Sequence, residues 1–136
     1  MKSIMAACIG LMLAAGANAA VKLEPVEYKM DDTVLKGHLA YDDAVKDKRP
    51  GVLVVHQWKG LTDYERKRSE MLARLGYVAF AADIYGKGVR ADNPKDAAAL
   101  AGKYKADRVL LRARVNAGLD VLRRQDLADP ARLGAI

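Results

Sequence analysis

Between Leu23 and Tyr41 hydrophobic and polar positions alternate. Leu23, Val26 and Tyr28 mark a first strand. Leu35, Gly37, Leu39 and Tyr41 share one face of a second, with Lys36 and His38 on the other. Met30-Asp31-Asp32 reads as the turn between them, so the pair predicts an antiparallel hairpin. Asp42 to Arg49 is a charged connector ending at Pro50. The alternation then stops. Gly51-Val52-Leu53-Val54-Val55 is an unbroken run, as a strand covered on both faces of a parallel sheet requires. After a loop from His56 to Leu61, Thr62 and Glu65 form a capping box that starts a helix. Tyr64, Arg68, Met71, Leu72 and Leu75 mark its inner side, Arg68 being the exception, and Gly76 closes it. Tyr77 to Ala82 is a second buried strand. Strand, helix and strand with short connections predict a parallel pair with a right-handed crossover.

Asp83 to Asp92 is a loop holding Gly86 and Gly88. Asn93 caps a second helix with Pro94 in its first turn, and Ala97, Leu100, Ala101 and Tyr104 follow at helical spacing. Asp107 caps a longer helix with an apolar stripe of Leu111, Val115, Gly118, Leu119 and Leu122. Asp129-Pro130 is expected to end it, and Leu133 to Ile136 to begin a third parallel strand. The fold class is α/β. No internal repeat is present.

Composition changes the picture first at the amino end. Lys2 precedes an apolar run from Ile4 to Ala17 that closes in Ala17-Asn18-Ala19. A positive start, a short apolar core and small residues at the cleavage positions describe an export signal over residues 1–19, and a periplasmic protein. The core is shorter than the ~20 residues of a membrane-spanning helix, so no membrane attachment is expected after cleavage. A buried helix is the alternative, but it would show a polar face. Cleavage removes Cys8, the one cysteine, leaving neither a disulfide nor a thiolate metal ligand. The net charge of +6 is spread among acidic residues without interleaved aromatics, so no nucleic-acid surface is expected.

Ligands of open α/β sheets bind beyond the carboxyl ends of the strands. Two such ends are polar and aromatic here: His56-Gln57-Trp58-Lys59-Gly60 and Asp83-Ile84-Tyr85-Gly86-Lys87-Gly88. Neither is a phosphate-cradling glycine loop. The stretch from Pro50 to Gly88, with its strand, loop, helix, Gly-Tyr, strand and Asp-x-Tyr, resembles the dienelactone hydrolase family. The resemblance implies an α/β-hydrolase acting on ester or lactone bonds of small molecules through a Cys-His-Asp triad, with Ser replacing Cys in some relatives. It needs neither metal nor cofactor. The nucleophile of such an enzyme stands on a sharp strand-to-helix turn, Gly-x-Cys-x-Gly, whose backbone supplies half of an oxyanion hole.

The resemblance assigns the other half to the backbone N–H of Trp58. Gln57 falls where the family carries a Glu that helps activate the thiol; an amide can neither act as a base nor carry charge. Lys87 lies near a family arginine that holds a substrate carboxylate, and Tyr85 is placed with it on the substrate side. An exposed loop lysine is the plainer reading of Lys87. His56 reads as a packed histidine, His38 as a strand surface residue, and Asp83 as a group that orients its loop. No Gly-x-[Ser/Cys]-x-Gly occurs, and the only serines are Ser3 and Ser69. The chain is therefore read as the front part of a hydrolase, ending inside the nucleophile strand, with the triad expected beyond Ile136 and no catalysis of its own. The competing reading is a small non-catalytic periplasmic α/β binding module.

Overall fold

The computed structural model describes residues 20–136. The expected export signal, residues 1–19, lies outside the described residues. The chain runs β1 (Val21–Met30), β2 (Thr33–Asp42), β3 (Arg49–Val55), α1 (Asp63–Arg74), β4 (Val78–Ala82), α2 (Pro94–Ala106), α3 (Arg108–Arg123) and β5 (Ala128–Ala135). One five-stranded sheet is ordered β1-β2-β4-β3-β5. β1 and β2 form the expected antiparallel hairpin, turning at Asp31, whose φ of 51° is left-handed. β4 pairs antiparallel with β2 and parallel with β3, and β5 pairs parallel with β3. The carboxyl ends of β3, β4 and β5 therefore share one edge of the sheet.

α3 covers one face and α1 the other, with α2 against α3. The α3 side carries the large side chains: Leu39, Leu53, Val78, Phe80 and Leu122 are all buried there. Phe80 fits because β2 carries glycine at position 37, where a Cβ would lie 2.4 Å from the Phe80 ring. α3 approaches closely at Gly118, where a Cβ would come within 2.7 Å of the Ala82 Cβ. Its expected stripe is in place, with one addition. Arg114 is also buried, and its guanidinium donates to the Thr33 hydroxyl at 3.0 Å.

α1 departs from expectation. Leu72 packs inward as expected, against Ala40, Ala73 and Ala79, but the buried residues are Glu65, Ser69 and Ala73, while Tyr64, Met71 and Leu75 are exposed, as is Arg68. The reason is the sheet beneath, which presents Ala40 and Ala79 on this side. A small-residue surface admits a small-residue helix face. Ser69 satisfies its hydroxyl by donating to the Glu65 carbonyl at 2.9 Å. The second correction is at β5. The helix ends at Arg123, and Asp129-Pro130 lie inside the strand rather than stopping the helix. Register against β3 jumps from Pro50↔Asp129 to Gly51↔Leu133, so Pro130, Ala131 and Arg132 bulge out. Proline has no N–H for a ladder. The Asp129 carboxylate holds the bulge, accepting from Ala131 N–H at 3.0 Å and pairing with Arg132 at 2.6 Å.

Candidate active site

Two loops meet at the carboxyl edge, and their backbones are bound together group by group. Glu65, 2% exposed, sits behind the first loop. One oxygen accepts from Thr62 N–H and Thr62 hydroxyl, both at 2.8 Å, and the other from Gln57 N–H at 3.4 Å. The capping residue of α1 thus also anchors the far end of the loop that precedes it. Gly60 N–H donates to the Gln57 carbonyl at 3.2 Å, and Gly60 must be glycine: φ is 97° and a Cβ would meet the Val89 carbonyl at 2.9 Å. The Lys59 carbonyl accepts from Ala91 N–H at 2.9 Å.

His56 ties the two strand ends together. Its Nε2 accepts from Ile84 N–H at 3.2 Å, so the proton resides on Nδ1, which donates to the Gln57 carbonyl at 2.7 Å. Burial holds its pKa below the ordinary value and keeps the ring neutral. Both nitrogens are engaged, which fits a packed histidine rather than a base. Asp83, 3% exposed, orients the second loop as expected. It accepts from Tyr85 N–H and Gly86 N–H on one oxygen, at 3.1 and 2.9 Å, and from Lys36 N–H at 3.0 Å on the other. The Tyr28 hydroxyl reaches the same point from β1, donating to the Asp83 carbonyl and accepting from its N–H. Burial raises the Tyr28 pKa well above the ordinary phenol range, so it stays protonated.

Tyr85 crosses from the second loop to the first. Its hydroxyl donates to the Trp58 carbonyl at 3.0 Å. Its ring lies edge-on to His56 and stacks on Tyr104, with centroids 4.6 and 5.0 Å apart. The Tyr104 hydroxyl in turn donates to the Tyr85 carbonyl at 3.3 Å. Within this bound loop the Trp58 N–H donates to no acceptor among the described residues. Gln57, Trp58 and Tyr85 line one mainly apolar cleft of about 190 Å3, completed by Ile84, Tyr104 and Leu111. β5 arrives beside it: Ile136 N–H donates to the Leu53 carbonyl at 3.0 Å, and Val55 N–H to the Ile136 carbonyl at 2.9 Å.

The structure brings Gln57, Trp58 and Tyr85 together and leaves Lys87 apart. Lys87 lines a different pocket and pairs with Glu27 of β1 at 2.6 Å. Gly86, with φ of 128°, stands between Tyr85 and Lys87 and turns the two side chains away from each other. Glu65 was legible as a capping residue, but its bond to Gln57 N–H was not, because nothing in the spacing places the loop over the helix start. Among the described residues no cluster of three or more His, Cys, Asp or Glu is placed to hold a metal, and no helix is long and apolar enough to cross a membrane.

A mixed sheet flanked by helices on both faces, with its loops converging at the carboxyl edge of three parallel strands, is of the α/β-hydrolase type. Comparison with known proteins narrows this. The model of the dienelactone hydrolase family matches residues 35–136, and the chain belongs to that family. It is 33% identical over 113 residues to protein usf of Aquifex pyrophilus, covering 80% of this chain and 47% of that one. The solved structure named m3DLH superposes with a TM-score of 0.82 at 36% identity, over 85% of this chain and 48% of its own. A dienelactone hydrolase-like promiscuous phosphotriesterase, P91, from metagenomic libraries superposes at 0.80 with 31% identity, again over 85% and 48%. The chain thus spans about half the length of these relatives.

Proposed function

We propose that this chain supplies the oxyanion-stabilising half of a hydrolase that cleaves ester or lactone bonds of small molecules. The observation that carries the reading is the Trp58 N–H, left without an acceptor in a loop whose neighbouring backbone groups are bound. A preorganised donor beside an apolar cleft stabilises the oxygen of a tetrahedral intermediate without reorganising first, worth ~3 kcal/mol. The carboxyl end of β5 lies beside Val55, one residue before His56, so a nucleophile delivered there would face Trp58. Gln57 lines the same cleft as an uncharged neighbour, and the substrate fits against Trp58, Tyr85 and Tyr104. Lys87 serves a substrate only if its bond to Glu27 opens. The protein is exported to the periplasm, with residues 1–19 removed.

On its own the chain has no nucleophile for this chemistry. Ser69, the one serine among the described residues, is buried in α1 and committed to the Glu65 carbonyl. The 136-residue chain is expected to leave small activated esters untouched. Joined after Ile136 to the matching carboxyl-terminal half of a family member, it is expected to hydrolyse them. In that chimera Trp58→Pro, which deletes the N–H, lowers kcat about 100-fold, while Trp58→Phe, which keeps it, does not. A folded chimera in which both variants lose kcat alike would refute the backbone role. Amino-terminal sequencing of protein from the periplasm should begin at Ala20.

A further inference from the structure

We propose that the pocket formed by β2, the first turn of α1 and the Asp83–Asp92 loop binds a small tetrahedral oxyanion of the phosphate class. It has a volume of about 290 Å3 and shares no residue with the Trp58 cleft. Cations line it from three elements: Lys36 from β2, Arg66 from α1, and Lys87 and Arg90 from the loop. The single lining carboxylate, Asp83, is already occupied, since both its oxygens accept backbone N–H groups. Glu27 and Asp63, which do not line the pocket, pair with Lys87 and Arg66. Such half-exposed pairs contribute little and exchange readily. Lys36 and Arg90 pair with no carboxylate among the described residues.

His38 adds an independent observation. The residue lines the pocket, and its Nδ1 is buried without a hydrogen-bond partner. A buried ring nitrogen without a partner is costly, and an anion beside the ring favours its protonated form. Burial and the Arg66 and Lys36 charges also hold the His38 pKa below the ordinary value, which reports a positive field at the ring. A planar carboxylate presents two acceptors in one plane. Donors arriving from three elements suit a tetrahedral anion with acceptors on several sides. The site stands independently of the hydrolase reading.

The 136-residue chain carries its own reporters, because His38 and His56 are its only histidines. Their imidazole NMR signals are followed at constant ionic strength while inorganic phosphate replaces chloride. Phosphate is expected to shift His38 saturably and to raise its pKa by about half a unit, leaving His56 in place. Arg90→Gln, on an exposed loop position, should weaken binding several-fold with His56 signals unchanged; Arg66→Gln should do the same. No saturation by ~50 mM phosphate would overturn the site. So would a shift of His56 in place of His38, which would put the anion in the cleft, or unchanged affinity in both arginine variants. Acetate matching phosphate would overturn the assignment to a tetrahedral anion.

Discussion

Glu65→Ala tests whether one buried carboxylate organises the Trp58 loop. The side chain is 2% exposed and receives three donors: Thr62 N–H, Thr62 hydroxyl and Gln57 N–H. Alanine leaves two backbone N–H groups without acceptors. At partly buried positions each costs about 1 kcal/mol, the lower end for an orphaned donor. The lost Cγ methylene and carboxyl group add about 1 kcal/mol of burial and cavity cost. The sum is about 3 kcal/mol, a large share of the ~5–15 kcal/mol that stabilises a domain. Glu65→Gln keeps the shape and one acceptor but turns an NH2 toward a donor, so about half that loss is expected. The assay is urea unfolding read by helical circular dichroism and by fluorescence. Trp58 is the only tryptophan, so its emission reports this loop directly. A Glu65→Ala protein within ~0.5 kcal/mol of the parent, with unchanged Trp58 emission, would refute the reasoning.

Tyr85→Phe removes the bond to the Trp58 carbonyl but keeps both ring contacts; unfolding free energy should fall by about 1 kcal/mol, with a shift in Trp58 emission that a purely global effect would not give. His56, with its folded pKa below 6.5, excludes a proton that the unfolded chain accepts, so its contribution is complete above pH 6.5 and is lost as pH falls below it. As pH falls below 6.5 unfolding free energy should drop, by no more than ~1.4 kcal/mol per unit for this group, and His56→Asn should reduce the slope, His38 supplying a contribution of the same sign; an unchanged slope would exclude His56 as a source. Gly118→Val drives a branched side chain into Ala82 and should cost about 2 kcal/mol or more, whereas Gly102→Ala, with nothing within 4 Å of the added methyl, should stabilise α2 by up to ~1 kcal/mol; thermal unfolding separates the two signs.

The elements that periodicity and caps define were legible in the residues. The hairpin, the buried runs at Gly51–Val55 and Val78–Ala82, and the caps at Thr62, Asn93 and Asp107 stand where the pattern put them. The failure on α1 has a definite cause. Hydrophobic patterning equates apolar with inward, and on α1 that equation reverses. Directly beneath α1 the sheet presents Ala40 and Ala79, with Val21 and Leu23 of β1 at the margin, so close approach selects Ser69 and Ala73, and Tyr64, Met71 and Leu75 are left outside. Glu65 can be buried there because its partners come from the loop and the helix cap, not from the sheet. The missing information lay in the neighbour, and no single segment carries its neighbour's size.

The same limit explains the divided candidate site. Tyr85 and Lys87 are two positions apart, and the family pattern groups them. Gly86 at positive φ lets the backbone reverse between them, so one side chain enters the Trp58 cleft and the other turns to Glu27. A residue with a Cβ would resist that φ and bias the loop toward a different division. The identity of position 86 therefore bears on which cavity receives a charged loop residue, independently of whether that residue is Lys or Arg. On this geometry the Trp58 cleft keeps an apolar lining, and the positive charge of the loop is directed to the pocket at His38.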